Sequence, residues 1–258
     1  MVQRSRVPVL VLNLQPVAAI DYENTDTGEW LANCCACCVP ELSNAFARAR
    51  IDFNVVSGML HNDPRAWARI QNWVNAASVN HTLNRSCIGF LGHTYPGMLD
   101  MYSDFTMVHA QTGAHVEVLE MDDLEVRVNA VTSSELEAKK IEIHEVFQIA
   151  EAGRDKISQP ITDESFDWSA RVACGLDRLV SDFDLDSLTY HYRGWEGNVF
   201  EQLGAGAIVG NSLLTAKGIP ASGEGDLKTC LAMKIMDAVG AGGLTPNFMP
   251  WILSRISS

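Results

Sequence analysis

Basic residues are scarce in this chain: 19 Lys and Arg stand against 32 Asp and Glu, a formal charge of −13 over 258 residues. Phosphate backbones are held by clustered Lys and Arg, so the balance excludes nucleic acid as a partner. It excludes an anionic membrane surface for the same reason. Long apolar runs are missing too, and none reaches the ~20 residues that span a bilayer. The apolar run Val9 to Leu14 is too short for a signal peptide and leads into a polar turn. Phosphate-loop and nucleophile-elbow patterns are absent. Gly204-Ala-Gly-Ala-Ile-Val-Gly210 lacks the G-x-G-x-x-G spacing and falls in a helical stretch, which argues against NAD. There is no internal repeat and no low-complexity segment.

Cysteine is present but not as a framework. Four of the seven crowd into Cys34-Cys-Ala-Cys-Cys38, which points to a reducing, cytoplasmic setting rather than to disulfides. The sequons at Asn80 and Asn84 then carry no meaning. No second pair lies at the spacing that a four-ligand zinc site needs, and the flanks do not fit a thioredoxin. The four are read as small buried residues on a helix packed against a sheet.

With 47% hydrophobic residues, the chain can bury a substantial core. Val9–Leu14, Phe53–Ser57, Cys87–Leu91 and His115–Leu119 read as strands. Between them come a helix from Glu29 to Arg50, with Pro40 as a kink or break, and a helix opening at Asp63-Pro64. Trp67, Ile70, Trp73, Val74 and Ala77 are expected to line one face of the latter. A helix follows near Met98 to Thr112, and another, capped by Ser133 or Ser134, reaches about Ala150. A long helix from Asp163 to Asp182 leads to the strand Ser187–Tyr192, and a helix follows near Phe200 to Val209. The alternation predicts an α/β fold, a doubly wound parallel sheet with Rossmann-like or flavodoxin-like layers. The expected division is a sheet domain over 1–152, with a seam at Gly153–Gln159, and a continuation over 153–243.

The chemistry centres on Gly218-Ile-Pro-Ala-Ser-Gly-Glu-Gly-Asp-Leu-Lys-Thr-Cys-Leu-Ala-Met-Lys-Ile-Met-Asp237. It reads as a short strand, a glycine-hinged turn and a helix with Leu227, Leu231 and Ile235 on its buried face. Glu224 lies between Gly223 and Gly225, which let the backbone turn sharply and let a ligand approach. An ionised carboxylate at the carboxyl end of a strand suits a hard metal or a proton abstraction. The plain alternative is an acidic helix cap. Two more loops fall at strand ends. One carries His93, Tyr95, Met98, Asp100 and Asp104; the alternative there is a structural loop with capping aspartates. The other, Tyr190-His-Tyr-Arg-Gly-Trp-Glu-Gly197, offers aromatic faces with Arg193 and Glu196, or else is a wet strand end with a packed Trp195.

Thr27-Gly-Glu-Trp-Leu-Ala-Asn-Cys-Cys35, the His93 loop, the Tyr190 segment and Gly223-Glu-Gly-Asp-Leu-Lys-Thr229 together resemble the L-arabinose/L-fucose isomerase family, from about Pro16 to Gly243. The resemblance implies a divalent metal, usually Mn2+, and interconversion of an aldose and a ketose through an enediol. It makes Glu224 both metal ligand and acid/base residue. It puts Met98 near the sugar, with His93, Tyr95 and Tyr192 as substrate-side candidates. Intact members are homo-oligomers with an α/β domain before the part present here and a mostly β C-terminal domain after it.

The family's second glutamate and metal-binding histidine are not found. After Gly243 the family continues with a run like S-Y-T-E-F-Y-A-M-D-F, whereas this chain reads Leu244-Thr-Pro-Asn-Phe-Met-Pro-Trp251 and onward to Ser258. Codons can be written for that tail which, with one T restored in front, read S-Y-T-E-F-Y-A-M-D-F-K-P-D-F. Residues 244–258 are therefore expected to be a frameshifted tail, and the alternative is a divergent one. Three functions follow: an aldose–ketose isomerase whose chain is inactive by itself, a non-catalytic sugar-binding or subunit-interaction fragment, and a sugar-binding module of the periplasmic type. Lack of an export signal counts against the last.

Overall fold

The computed structural model describes residues 7–149, 160–195 and 197–243. The expected seam Gly153–Gln159, Glu196 and the tail 244–258 lie outside the described residues, and the helix expected to reach about Ala150 ends at Val146, where Phe147 turns extended. Contacts group the chain into two compact units that divide between Ser78 and Val79.

In the first unit, β1 (Leu10–Gln15) pairs in parallel with β2 (Asn54–Met59). Between them run α1 (Thr27–Ala32) and α2 (Cys35–Arg48), and α3 (Pro64–Leu83) follows β2. The helix expected from Glu29 to Arg50 is thus two helices, and the break is not at Pro40, which lies inside α2. It falls at Asn33, whose backbone and side-chain amides both donate to the Glu29 carbonyl and end α1. The cysteines are not buried as expected: Cys34 and Cys35 are half-buried, and Cys37 and Cys38 are exposed. α3 buries only part of the expected face: Ile70 packs inward and Ala77 is half-buried. Trp67, Trp73 and Val74 are exposed, and the helix packs through Ala66 and Ile70 on Leu14 and Val56. The small Ala66 lets the helix seat close to the strands, while Trp67 turns out to donate to the Leu60 carbonyl.

The second unit holds a four-stranded, all-parallel sheet in the order β4 (His115–Leu119), β3 (Cys87–Gly92), β5 (Ser187–His191), β6 (Ala221–Ser222). The helices are α4 (Phe105–Thr112), α5 (Met121–Asn129), α6 (Ser133–Val146), α7 (Asp163–Asp182), α8 (Val199–Ala216) and α9 (Leu227–Ala238). Alternation along β3 assigns its two faces. Leu91 joins Leu119 and Leu188 under α5, α7 and α8 through Leu124, Leu176, Leu179 and Leu203. Ile88 and Phe90 face the other way, under Phe105 and Val108 of α4 and Leu227 and Cys230 of α9. Helices on both faces make this the doubly wound parallel α/β fold. Each leucine fully buried in that core contributes about 1.5–3 kcal/mol.

Two start signals read differently from expectation. Thr132, not Ser133 or Ser134, caps α6, in a capping box with Glu135. That box, with Arg178, holds the Glu135 carboxyl down to about 2, the Thr132 hydroxyl being the largest cause. The stretch Met98 to Thr112 is a 3-10 turn at Leu99–Met101 and then α4, opened by Asp104. Glycines at 206 and 210 do lie within a helix. A Cβ at Gly206 would meet Val172 and Trp168, and one at Gly210 would meet Leu176 and Ala173. They let α8 close on α7, which is a packing role and no nucleotide loop.

Candidate active site

The chain leaves β3 for β4 on one side and returns to β5 on the other. That reversal opens a crevice at the carboxyl ends of the strands, where open α/β sheets bind ligands. Three segments meet there: Gly92 to Tyr95 after β3, His191 to Gly194 at the end of β5, and Gly223 to Asp226 between β6 and α9.

Backbone bonds tie the three together. His93 N–H donates to the His191 carbonyl at 3.0 Å, Tyr95 N–H to the Glu224 carbonyl at 2.9 Å, and Gly225 N–H to the Tyr190 carbonyl at 2.9 Å. Two glycines make the approach possible. Both have positive φ, and a Cβ would lie 2.2 Å from the His191 oxygen at Gly92 and 2.4 Å from the His93 oxygen at Gly225.

Glu224 occupies this turn on a left-handed backbone, φ 63°. That conformation costs a residue with a Cβ about 1–2 kcal/mol, and its persistence marks a site that the surroundings over-determine. The acidic cap of α9 is Asp226, which accepts from Thr229 N–H at 3.0 Å. Glu224 therefore does not serve as the cap. Its side chain is 48% exposed, and one carboxylate oxygen lies 3.2 Å from His191 Nδ1.

His191 is the residue that sequence reasoning missed as a site group, though its segment was singled out. It sits in an aromatic cluster, 5.1 Å from the His93 ring and 4.8 Å from the Tyr95 ring between centroids. Burial pulls its pKa below the usual imidazole value, against the pull of the Glu224 charge. Its Nδ1 faces the Glu224 carboxylate, and its Nε2 is buried without a hydrogen-bond partner among the described residues. Tyr190 beneath is pushed up, by burial first and the Glu224 charge second.

The sequence-predicted residues distribute as follows. His93 and Tyr95 are exposed beside His191. Tyr192 stacks edge-on against Phe200, and with Gly92, His93, Met121 and Asp122 it lines a cleft. A second cleft runs past His93, Thr94, Pro96 and Tyr102. Met98 precedes the 3-10 turn and lines neither cleft. Asp104 has the plain capping role, accepting from Thr106 and Met107, and the Thr106 hydroxyl above all lowers its pKa. Trp195 is 83% exposed rather than packed. The buried stripe of α9 is Leu227, Cys230 and Met233, whereas Ile235 is exposed.

The family model for the L-arabinose isomerase central domain matches residues 103–242. Among curated relatives, the L-arabinose isomerase of Yersinia enterocolitica serotype O:8 / biotype 1B is 24% identical over 235 residues, 91% of this chain and 45% of that protein. The L-arabinose isomerase of Aeromonas salmonicida strain A449 is 24% identical over 196 residues, 76% of this chain and 38% of that protein. The chain thus spans less than half the length of the relatives it matches. The match takes in β4 to β6 and the Glu224 turn, and on it the chain belongs to the L-arabinose isomerase central-domain family.

Proposed function

We propose that this chain carries the metal-and-sugar half-site of an aldose–ketose isomerase, of the L-arabinose to L-ribulose or L-fucose to L-fuculose type. The observation that supports it most is Glu224: strained, not the cap of its helix, half-exposed at the switch point and 3.2 Å from the ring nitrogen of a half-buried histidine. A divalent cation such as Mn2+ would, when bound, polarise the two substrate oxygens. Glu224 fits as one oxygen ligand of such an ion. Among the described residues no three metal-capable side chains converge on it, so it supplies one ligand of a larger set. In this reading Glu224 holds a proton of the C1–C2 exchange. His191 orients the carboxylate through Nδ1. Tyr95 and Tyr192 offer ring faces to the sugar.

Proton transfer of this kind needs a carboxylate on each side of the substrate, and Glu224 is one. The chain by itself is therefore expected to bind weakly and not turn over. The test is paramagnetic broadening of the C1 and C2 protons of L-arabinose and L-fucose by Mn2+, with ketose formation followed in parallel. The reading predicts broadening with the chain, its loss in Glu224→Gln, and no ketose. Equal broadening in Glu224→Gln would remove Glu224 from the site. Ketose formed by the unaltered chain would show that it is no half-site. Sugar binding independent of Mn2+ would favour the non-catalytic binding fragment.

A further inference from the structure

At the other end of the same sheet lies a group of side chains that the isomerase reading does not use. Cys87 is the first residue of β3 and His115 the first of β4, and the two are direct partners in the parallel ladder. Glu117 stands two residues further along β4, on the same face. Opposite it is Gly89, over which the Leu185 and Leu188 side chains pack. The Glu117 side chain folds back, so that its carboxylate lies 2.9 Å from His115 Nε2. A thiol, an imidazole nitrogen and a carboxylate oxygen thus come within 4.8 Å of one another.

We propose that Cys87, His115 and Glu117 form a binding site for a borderline-soft divalent cation, zinc above all, at the amino end of the four-stranded sheet. The donor set selects the metal. Thiolate and imidazole suit zinc, whereas Mg2+, Ca2+ and Mn2+ prefer all-oxygen shells. Metal–ligand bonds near ~2.1 Å put tetrahedral ligands roughly 3.5 Å apart, so the three donors need close by only a small rotamer adjustment. The setting is anionic: burial first, then the charges of Glu117, Asp186 and Asp184, push the Cys87 thiol up from its ordinary value, and the same negative charges attract a cation. On binding, the thiol gives its proton to solvent and the sulfur takes up the metal bond. Three protein ligands leave the fourth position to water. The bound ion joins β4, an edge strand of the described sheet, to its neighbour β3, and so acts as a clip across the strands.

This site is independent of Glu224, roughly 16 Å away along β3 by strand rise alone, and one experiment separates the two. The protein is stripped with a chelator, with Cys34, Cys35, Cys37 and Cys38 changed to Ser so that this thiol cluster does not contribute. It is then titrated with Co2+, an optical stand-in for zinc. The expected result is one equivalent bound with a thiolate-to-cobalt charge-transfer band, which Zn2+ displaces. Cys87→Ser abolishes the band. His115→Ala, a change at an exposed side chain, weakens binding by about tenfold or more. Glu224→Gln leaves both band and affinity in place. Absence of the band, its survival in Cys87→Ser, unweakened binding in His115→Ala, or its loss in Glu224→Gln would each overturn the proposal.

Discussion

The two ends of the four-stranded sheet are built in opposite ways. At the carboxyl end, Glu224 sits on a left-handed backbone between glycines, in a turn pinned by hydrogen bonds to the loop after β3 and to strand β5. At the amino end, Cys87, His115 and Glu117 stand on regular strands, brought together by register alone. The first arrangement stores strain to hold one carboxylate. In the second the three groups stand on extended strands, and the nearby left-handed residue Asp184 is not one of them; they are neighbours because parallel strands put them there. Strain of this kind gathers where function over-determines a backbone, so mutations at the two ends should have different signatures.

The largest difference is expected at Gly225. Changing it to Ala drives a Cβ onto the His93 carbonyl oxygen and the Thr94 Cα, at positive φ. A loss of about 2–3 kcal/mol in denaturant unfolding is expected. A loss below about 0.5 kcal/mol would mean that the turn is not pinned. Glu224→Gly should go the other way. It relieves the left-handed strain and is expected to gain about 1 kcal/mol while Mn2+ binding falls. A residue that destabilises its own fold is being kept for something other than stability, and a stability loss on this change would contradict the strain argument.

At the amino end the expectation is nearly flat. His115→Ala, measured in chelator, should shift stability by no more than about 0.5 kcal/mol, because exposed pairs such as His115–Glu117 contribute little. A larger loss would mean that this end is also a structural staple without metal.

How much of this was legible in the sequence depends on how local the signal is. The Glu224 turn announces itself through Gly223, Gly225 and the apolar residues after them, all within a few positions. The helix α7 is legible because Thr162, Asp163 and a long amphipathic run stand together. α5 was not read at all. It is only nine residues long, and Leu124 and Val128 give one turn of period, too little to separate from a loop. The face of α3 was misread because its tryptophans suggested burial, whereas the seat against the strands admits only Ala66 and Ile70. His191 and the Cys87 cluster could not be found by spacing. Glu224 lies 33 residues from His191, and His115 meets Cys87 only once β3 and β4 pair.

The smallest expected effect is in the pH dependence. The folded-state pKa of His191 is lowered, chiefly by burial. The unfolded chain then takes up the proton first as pH falls below the ordinary value near 6.5. Stability attached to neutral His191 is present above that pH and is lost on the way down to the lower folded value. His191→Gln should flatten that part of the stability–pH curve in metal-free protein. An unchanged slope between about pH 6.5 and 5 would assign it to other groups.

The central claim is that Glu224 is kept on its costly backbone in order to bind a metal. Its most direct test is the stoichiometric Mn2+ affinity of the chain, read by electron paramagnetic resonance, against that of Glu224→Gln. The substitution keeps size, turn and the His191 contact while removing the charge. A drop of about tenfold or more is predicted, the loss of a charged ligand outweighing that of any outer-shell partner. An affinity equal to that of the unaltered chain would contradict the account.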